Sequence, residues 1–514
     1  MKTSRRRLDV DVEELDRVID AAENGPLSKA DRQKLKTTLH ALVERLAQKR
    51  NTEKTNSVLE PKNSSSAATE SPEPEPSAPA GHGRNAASAF TGAVKVSVQH
   101  VQLKPGDPCP ECREGRVYRQ KEPKTLIRIV GQAPLKATVF EMERLRCNGC
   151  CQVFTAAEPA GVGAGKYDMT AVAMIALLKY GTGMPFNRME RLETQLGIPL
   201  PAATQWELME QAAGLLKLIL DELIRQAAQG SVVHNDDTGM RILKLVRNTD
   251  DGRTGTFTSG IVSIWRDWRI ALYFTGWKHA GENLADVLKH RAAERDAPIQ
   301  MCDALSRNAP RLPGVEVLLA NCLAHGRRQI VDVAANFPEE CRYVLETLGK
   351  VYQADAQARE RQLSPESRLL LHQEHSGPLL DELREWMATQ FAEHKTEPNS
   401  GLGKAISYLQ RHWTKLTLFL RQPGAPLDNN IAERTLKKAI LHRKNALFYK
   451  TMNGARVGDL FMSLIHTCEL NKANPFDYLT ELLRQPVEMK ARPAEWMPWN
   501  YRETLARSTR PVAA

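Results

Sequence analysis

Residues 232–238 read Val-Val-His-Asn-Asp-Asp-Thr, an apolar run that passes directly into two adjacent acids. The apolar half is typical of a short buried strand, and the acids stand where we expect that strand to end. Four further strand-like runs follow, at 256–264, 269–275, 298–302 and 315–320. A polar turn joins the first two of these, which predicts a hairpin, and a helical stretch at 280–295 precedes the third. Strands and helices in this order predict a mixed α/β sheet.

Acids recur at the ends of the predicted strands. Asp303 closes the fourth strand, and Glu433 lies in the segment Leu-Asp-Asn-Asn-Ile-Ala-Glu-Arg at 427–434, which opens a helix. Because strand ends in such a sheet can converge, these acids and the acid pair of the first strand are expected to hold one or two Mg²⁺ ions. Two such ions can clamp the attacking and leaving oxygens of a phosphoryl transfer. The alternative is that each acid is a cap or a surface charge, and capping is the preferred interpretation for residues 428–430.

The chain is strongly basic behind Glu433. Between positions 434 and 458 it has no acid and seven basic residues. A basic helix behind a metal-binding acid predicts contacts to nucleic-acid phosphates, made by Arg434, Lys437, Lys438, Arg443 and Lys444. The alternative is an ordinary solvated face, which usually carries both signs of charge. A second basic segment starts a helix near the acids and is also expected to reach a phosphate, through His325, Arg327 and Arg328.

Two cysteine pairs form the strongest local signal. They are Cys109-Pro-Glu-Cys112 and Cys147-Asn-Gly-Cys150, separated by residues 113–146. This spacing matches a four-thiolate zinc site, and the β-like runs at 124–130 and 135–145 predict a zinc ribbon. The alternative is a set of unrelated reduced thiols, and Cys151 could replace Cys150 as the fourth ligand. The remaining cysteines lack ligand spacing and are predicted to fill the core.

The composition of the chain favours some classes of protein and excludes others. The chain has 514 residues, with 71 Lys and Arg against 61 Asp and Glu, and its net charge of +10 favours a polyanionic partner. The longest apolar run, 171–178, is too short to span a membrane. The charged N-terminal stretch has no apolar core, so we expect no secretory signal. Nine cysteines then indicate a reducing compartment and metal or thiol chemistry.

The same patterns predict a multidomain chain of six segments. They are leucine-striped N-terminal helices at 1–50, a disordered linker at 51–93, a zinc-binding ribbon at 94–160, a helical region at 161–228, the mixed α/β domain at 229–458 with a helical insertion at about 327–427, and a C-terminal helical region and tail at 459–514. In the fourth segment a Gly/Pro turn at 197–201 joins two helices. This arrangement predicts either a DNA-binding helix-turn-helix or plain helical packing.

Taken together, these segments resemble the insertion-sequence 66 family of bacterial transposases over nearly the whole chain. Besides the leucine-striped helices, the paired cysteines and Asp303, the matching motifs are HNDDT at 234–238, NCLAHGRR at 321–328, LDNNIAER at 427–434, RKNALF at 443–448 and SLIHTCELNKANPFDYL at 463–479. The most specific of them is Asn-Asn-x-x-Glu-Arg with the downstream Arg-Lys-Asn.

The resemblance implies a ribonuclease-H-like domain of the DDE type, with Asp236, Asp303 and Glu433 as the catalytic, metal-binding triad. It also implies Mg²⁺ or Mn²⁺, double-stranded DNA at transposon ends and targets, a homo-oligomer, companion transposition proteins, and a bacterial cytoplasm in which the protein associates with the nucleoid. Many members have Asp-Glu-Thr where this chain has Asp236-Asp237-Thr238. The choice between Asp236 and Asp237 therefore stays open, and the residues around Asp303 also differ from the usual pattern.

The activity that this resemblance implies has two steps, with no covalent enzyme intermediate. Water first hydrolyses a phosphodiester at the transposon end, and the freed 3′-hydroxyl then attacks a target phosphodiester in line. Two other functions fit the same residues. One is a DNA-binding accessory or repressor protein with inactive acids, and the other is a structure-selective nuclease on the same fold.

Overall fold

The structure is a computed structural model that describes residues 95–99, 102–112, 114–120, 126, 133–146, 148, 152–163, 165–245, 253, 255–310 and 316–508. The predicted N-terminal helices at 1–50 lie outside these residues, as does the predicted linker up to position 93. The described chain divides into two compact units. The larger unit contains Pro159–Thr194 and Pro199 onwards, and the smaller one contains the described part of Asn63–Glu158 with Gln195–Ile198.

The smaller unit contains a two-stranded antiparallel sheet. Strand β1, Arg144–Arg146, pairs with strand β2, Val153–Thr155. The predicted strand at 135–145 is therefore wrong over most of its length, because residues 135–143 have no strand partner to form a ladder. Its apolar side chains include Val139, which is 83% exposed, so alternation there does not mark a buried face. The other predicted ribbon strand, 124–130, lies outside the described residues except for position 126.

The larger unit is built on a five-stranded mixed sheet, which confirms the predicted α/β class. Its strands are β3 (Val232–Gly239), β4 (Phe257–Trp265), β5 (Trp268–Gly276), β6 (Ile299–Cys302) and β7 (Leu318–Asn321). Their order across the sheet is β5-β4-β3-β6-β7. The first three strands are antiparallel, whereas β6 and β7 run parallel to β3.

The first strand is longer than the sequence predicted. We expected it to end before the acid pair, yet β3 continues to Gly239 and carries Asp236 and Asp237 within it. The polar half of the strand is held by its antiparallel ladder with β4, which runs as far as the pair Gly239–Phe257. Backbone pairing thus overrides the low strand propensity of aspartate.

Thirteen α-helices lie among the described residues. They are α1 (Met169–Ala176, continued by a π-helical turn at Leu177–Gly181), α2 (Phe186–Gln195), α3 (Ala202–Ala227), α4 (Ala280–Leu288), α5 (Leu323–Val331), α6 (Pro338–Glu360), α7 (Pro365–Ala392), α8 (Gly401–Leu416), α9 (Asn430–Ala446), α10 (Met452–Leu470), α11 (Pro475–Arg484), α12 (Pro486–Ala491) and α13 (Tyr501–Ser508). In the part of the chain that the structure describes, no helix is long and apolar enough to cross a membrane.

The predicted helical insertion is formed by α5 to α8, and it packs onto the sheet. One continuous apolar core joins strands β6 and β7 to these helices, with Met301, Leu345, Leu383 and Leu409 each at most 1% exposed. Burial of apolar surface on this scale fixes the insertion against the edge of the sheet that carries Asp303. The insertion is therefore part of the core of the α/β domain rather than a tethered appendage.

Helix α10 covers the opposite edge of the sheet. The outward N–H groups of β5 need partners, since an edge strand has no neighbour on one side. Three polar side chains one helical turn apart supply them: Thr467 accepts from Ala271 N at 3.1 Å, Ser463 from Tyr273 N at 3.0 Å, and Asp459 from Thr275 N at 2.6 Å. The motif at 463–479 thus begins with residues that close the sheet.

Candidate active site

Strand β3 sends its two adjacent acids to opposite faces of the sheet, because successive side chains along a strand alternate. The register with β4 identifies the two faces: Asp236 lies opposite Gly260, and Asp237 lies opposite Ser259. Directly paired residues share a face. A Cβ atom on Gly260 would lie 3.0 Å from the Leu436 side chain of α9. Asp236 is therefore on the face that α9 covers.

Asp237 lies on the other face, under the start of α4. Its carboxylate is 2.8 Å from Nδ1 of His279, the N-cap residue of α4, and 3.7 Å from the guanidinium of Arg307. Its side chain is only 2% exposed. Asp237 is thus occupied by basic partners on the face away from α9, and this separates the roles of the two neighbouring acids.

Asp236 is held in a strongly acidic environment. Burial raises the pKa of its carboxyl to about 7, and the negative charge of Asp303 is the next largest cause. The charges of Asp237 and Glu433 raise this pKa further, while a hydrogen bond from Asp237 N at 2.8 Å to Asp236 Oδ1 lowers it. Such mutual repulsion requires that carboxyls from three distant segments lie near one another. The structure thus places Asp303 and Glu433 close enough to Asp236 for their charges to raise its pKa.

Asp303 is positioned by the loop that follows β6. Its Oδ1 accepts hydrogen bonds from Leu305 N at 3.2 Å and from Asn308 Nδ2. The loop is in turn tied to the centre of the sheet, because Gln300 Nε2 donates to Asn308 O at 2.6 Å and to Asn235 Oδ1 at 2.8 Å. All three amide residues of this network are fully buried. The network fixes the distance between β3 and the second acid.

Asn429 ties the start of α9 to β3. Its Oδ1 lies 3.1 Å from His234 Nδ1, and its Nδ2 donates to Asn235 O at 3.0 Å. Its backbone N–H donates to Cys322 Sγ at 3.2 Å. The sequence predicted a helix cap here, but the Asn429 side chain makes no cap hydrogen bond. It positions Glu433, one turn further on, against the strand that carries Asp236.

Glu433 lies next to His325, a residue that the sequence analysis predicted to contact a DNA phosphate. His325 Nε2 lies 3.7 Å from Glu433 Oε1, whereas we predicted that His325 contacts DNA. Ligand atoms of Cys322, His325 and Glu433 all lie within 4.8 Å of one another, which the spacing of the cysteine did not reveal. Burial raises the pKa of the Cys322 thiol to about 11, and its sulfur accepts the hydrogen bond from Asn429 N.

The acids have the chemistry of a divalent-cation site. Within the described residues, the one group of three ligand atoms closer than 4.8 Å is that of Cys322, His325 and Glu433, so the triad carboxyls are spaced more widely than this. Glu433 Oε1 and His325 Nδ1 are buried without a hydrogen-bond partner. Because a hard cation prefers carboxylate oxygen, the residues present fit Mg²⁺ or Mn²⁺.

The structure divides the predicted DNA contacts of α9 into two groups. Lys438 forms an ion pair with Glu469 at 2.8 Å, and Arg443 donates to Thr238 Oγ1 at 3.0 Å, so both support the protein itself. Three residues on the exposed face keep their side chains in solvent, namely Arg434, Lys437 and Lys444. On α5, Arg327 and Arg328 are half-buried.

The first cysteine pair lies in a segment closed by a backbone hydrogen bond. Cys109 N donates to Gly115 O at 2.8 Å, which folds the segment into a tight turn. Backbone hydrogen bonds from Gly115 and Glu114 lower the pKa of the Cys112 thiol, and a hydrogen bond with the Cys109 thiol lowers it further. Cys147, Cys150 and Cys151 lie outside the described residues. The described pair fits one half of a thiolate zinc site.

Comparison with known protein families identifies the family to which this chain belongs. A model of the transposase IS66 family matches residues 164–457, more than half of the chain, so the chain belongs to that family. This match confirms the resemblance found in the sequence. Relatives include two uncharacterized proteins of Sinorhizobium fredii (strain NBRC 101917 / NGR234), y4jD and y4hP. The first is 26% identical over 84% of this chain and 86% of its own length, and the second is 25% identical over 80% and 76%.

We predict that Asp236→Asn stabilises the protein when no divalent cation is added. A carboxyl with a folded-state pKa of about 7, above its ordinary value of 3.8, binds protons more tightly in the folded state, so it destabilises the fold increasingly as the pH rises from about 4 through about 7. The thermal unfolding midpoint of Asp236→Asn at pH 8 should exceed that of the wild type by about 2 °C or more. The difference should narrow towards pH 5.5.

Asp237→Asn is the matched control, because its carboxyl lies beside His279 and Arg307 and its removal should not stabilise the fold. A midpoint of Asp236→Asn that is no higher than that of the wild type at pH 8 would contradict the raised pKa of Asp236.

Proposed function

We propose that this chain is a DDE-type transposase that binds insertion-sequence ends and catalyses DNA strand cleavage and strand transfer. The observation that supports the proposal is that the charges of Asp303 and Glu433 act on the buried carboxyl of Asp236 in a member of a transposase family. The sheet order β5-β4-β3-β6-β7, with three antiparallel strands followed by two parallel ones, supports a ribonuclease-H-like catalytic domain at 229–458.

The triad is proposed to hold Mg²⁺ or Mn²⁺. When bound, the cation would neutralise the clustered carboxylates and polarise the phosphodiester for attack. The choice of Asp236 as the first ligand is supported by its position on the face of α9, where Glu433 also lies. Asp237 is engaged by His279 and Arg307, so its role is to hold α4 and the loop after β6 against the strand.

We propose that two successive reactions take place at this one site. In the first, water attacks a phosphodiester at the element end, the bond between phosphorus and the 3′-oxygen breaks, and a 3′-hydroxyl is released. In the second, this hydroxyl attacks a target phosphodiester and displaces another 3′-oxygen, so no external energy source is needed. His325 lies beside the Glu433 carboxylate, with 3.7 Å between His325 Nε2 and Glu433 Oε1. Arg434, Lys437 and Lys444 are exposed on α9 and are proposed to grip the phosphate backbone.

The other segments are proposed to recognise DNA and to assemble the active complex. Residues 94–160 would form a zinc ribbon with Cys109, Cys112, Cys147 and Cys150 as ligands. Residues 161–228, with helices α2 and α3 joined by a Gly/Pro turn, would read the element end. A reaction that joins two DNA ends to a target also favours a homo-oligomer, acting with companion proteins on the nucleoid in the cytoplasm.

The proposed activity predicts metal-dependent cleavage of a labelled duplex that carries the DNA end flanking the gene of this chain. We expect the wild type to cut this duplex with Mg²⁺ and to join the product to target DNA. Asp236→Asn, Asp303→Asn and Glu433→Gln should each lower the cleavage rate by at least about 100-fold, because each removes a charge that holds the cation. Glu488→Gln, an exposed acid on α12, is the matched control and should cleave as the wild type does.

The outcomes separate the three functions that the sequence left open. Binding of the end without cleavage by the wild type would indicate an accessory or repressor protein, and cleavage of branched DNA of any sequence would indicate a structure-selective nuclease. Wild-type activity in all three triad variants would refute the assignment of the active site.

The zinc ribbon predicts one zinc ion per chain in purified protein, measured by elemental analysis. Cys109→Ser and Cys112→Ser should each lose most of this zinc, since a tetrahedral site needs all four thiolates. Cys341→Ala, which removes a buried thiol of α6, is the control and should retain the metal. Unchanged zinc content in both serine variants would exclude this pair as ligands.

A further inference from the structure

A cavity lies directly beside Asp303. Its volume is about 390 Å³, and its walls include Cys302, Ala304, Leu305 and Leu319 from the strand ends and His412 and Lys415 from α8 of the insertion. Asp303 itself forms part of the lining. The cavity therefore opens onto the place where the scissile phosphodiester is proposed to bind, and its size falls in the usual range for a small-ligand site.

Helix α8 lines this cavity with His412 and Lys415, and Tyr408 lies one turn before His412. Tyr408, His412 and Lys415 are four and three residues apart, which places them on one side of the helix. The rings of Tyr408 and His412 are in contact, with centroids 4.8 Å apart. Burial raises the pKa of the Tyr408 phenol to about 12, and the negative charge of Asp303 is the next cause, so Tyr408 lies close to the second acid.

The lining favours a nucleobase over other occupants. A base is flat and largely apolar, and it stacks on aromatic side chains, whereas its phosphate requires a cation. The cavity has apolar walls and the half-buried ring of His412 for the base, and the exposed ammonium group of Lys415 for its phosphate. A base inside a duplex is stacked between its neighbours, so it can reach such a cavity only when it is displaced from the helix.

We propose that this cavity receives one displaced base of a nucleotide that flanks the cleaved phosphodiester, with His412 stacked on the base and Lys415 on its phosphate. The proposal rests on the proposed transposase function and assigns a role to the helical insertion. By unstacking one base, α8 would hold the adjacent phosphodiester in a single orientation beside Asp303.

The first test is a fluorescence scan with 2-aminopurine, a base whose emission changes when it leaves the duplex stack. The probe replaces each base in turn on both sides of the cut, in complexes formed without added Mg²⁺ or Mn²⁺ and without a chelator, so that no cleavage occurs and the zinc is retained. We expect one position to change its emission by about twofold or more with the wild type. Leu319→Trp, which fills the cavity, should abolish the change, while Lys404→Ala, an exposed lysine on the same helix, should preserve it.

The second test is cleavage of a duplex with an abasic nucleotide at the responsive position. Leu319→Trp and His412→Ala should cut the intact duplex about tenfold more slowly than the wild type, because they block or weaken binding of the base. On the abasic duplex both variants should match the wild type, since no base has to be accommodated. Equal impairment of both variants on the two duplexes would overturn the proposal.

The two proposals fail in different ways. Metal-dependent cleavage by the wild type with no responsive position in the scan, or with the same response in Leu319→Trp, overturns the base-binding cavity alone. Absence of any metal-dependent cleavage by the wild type overturns the transposase function and the cavity together.

Discussion

The alternation of side chains along β3 is the constraint on which the site depends. It sends two neighbouring acids to opposite faces of one strand, where they meet different partners. Asp237 meets His279 and Arg307 and becomes part of the scaffold. Asp236 meets the negative charges of Asp303 and Glu433, which together with burial raise its pKa to about 7. A shift of the strand by one residue would place Asp237 on the face of α9 and Asp236 on the face of α4, and it would separate Asp236 from the other two acids.

Hydrogen bonds from buried amide side chains hold the segments that carry Asp303 and Glu433 against β3. Asn429 bonds to β3 and sets the start of the helix that carries Glu433, while Gln300 and Asn308 hold the loop of Asp303. The long segment between Asp303 and Glu433 is itself fixed to the sheet, because α5 to α8 share one apolar core with β6 and β7. The insertion also places α8 beside Asp303, where His412, Lys415 and Asp303 line one cavity.

Apolar periodicity predicted the strands, the hairpin and most helices, because these features follow from burial alone. It placed the end of β3 too early, since Asp236 and Asp237 look like a loop when the ladder with β4 is unknown. Nothing in the sequence predicted that Asp459 and Ser463 of α10 bond to the edge strand β5. The family motifs predicted the three acids, but the tie through Asn429 and the contact of His325 with Glu433 depend on residues that meet only after folding.

The central claim is that Asp236, and not Asp237, joins Asp303 and Glu433 in one cation site. Binding of Mn²⁺, measured from the loss of the free-ion signal in electron paramagnetic resonance, tests this claim most directly. We expect Asp236→Asn and Glu433→Gln to weaken Mn²⁺ binding by at least about tenfold, and Asp237→Asn to bind Mn²⁺ as the wild type does. Wild-type affinity in Asp236→Asn, or loss of binding in Asp237→Asn alone, would contradict the account.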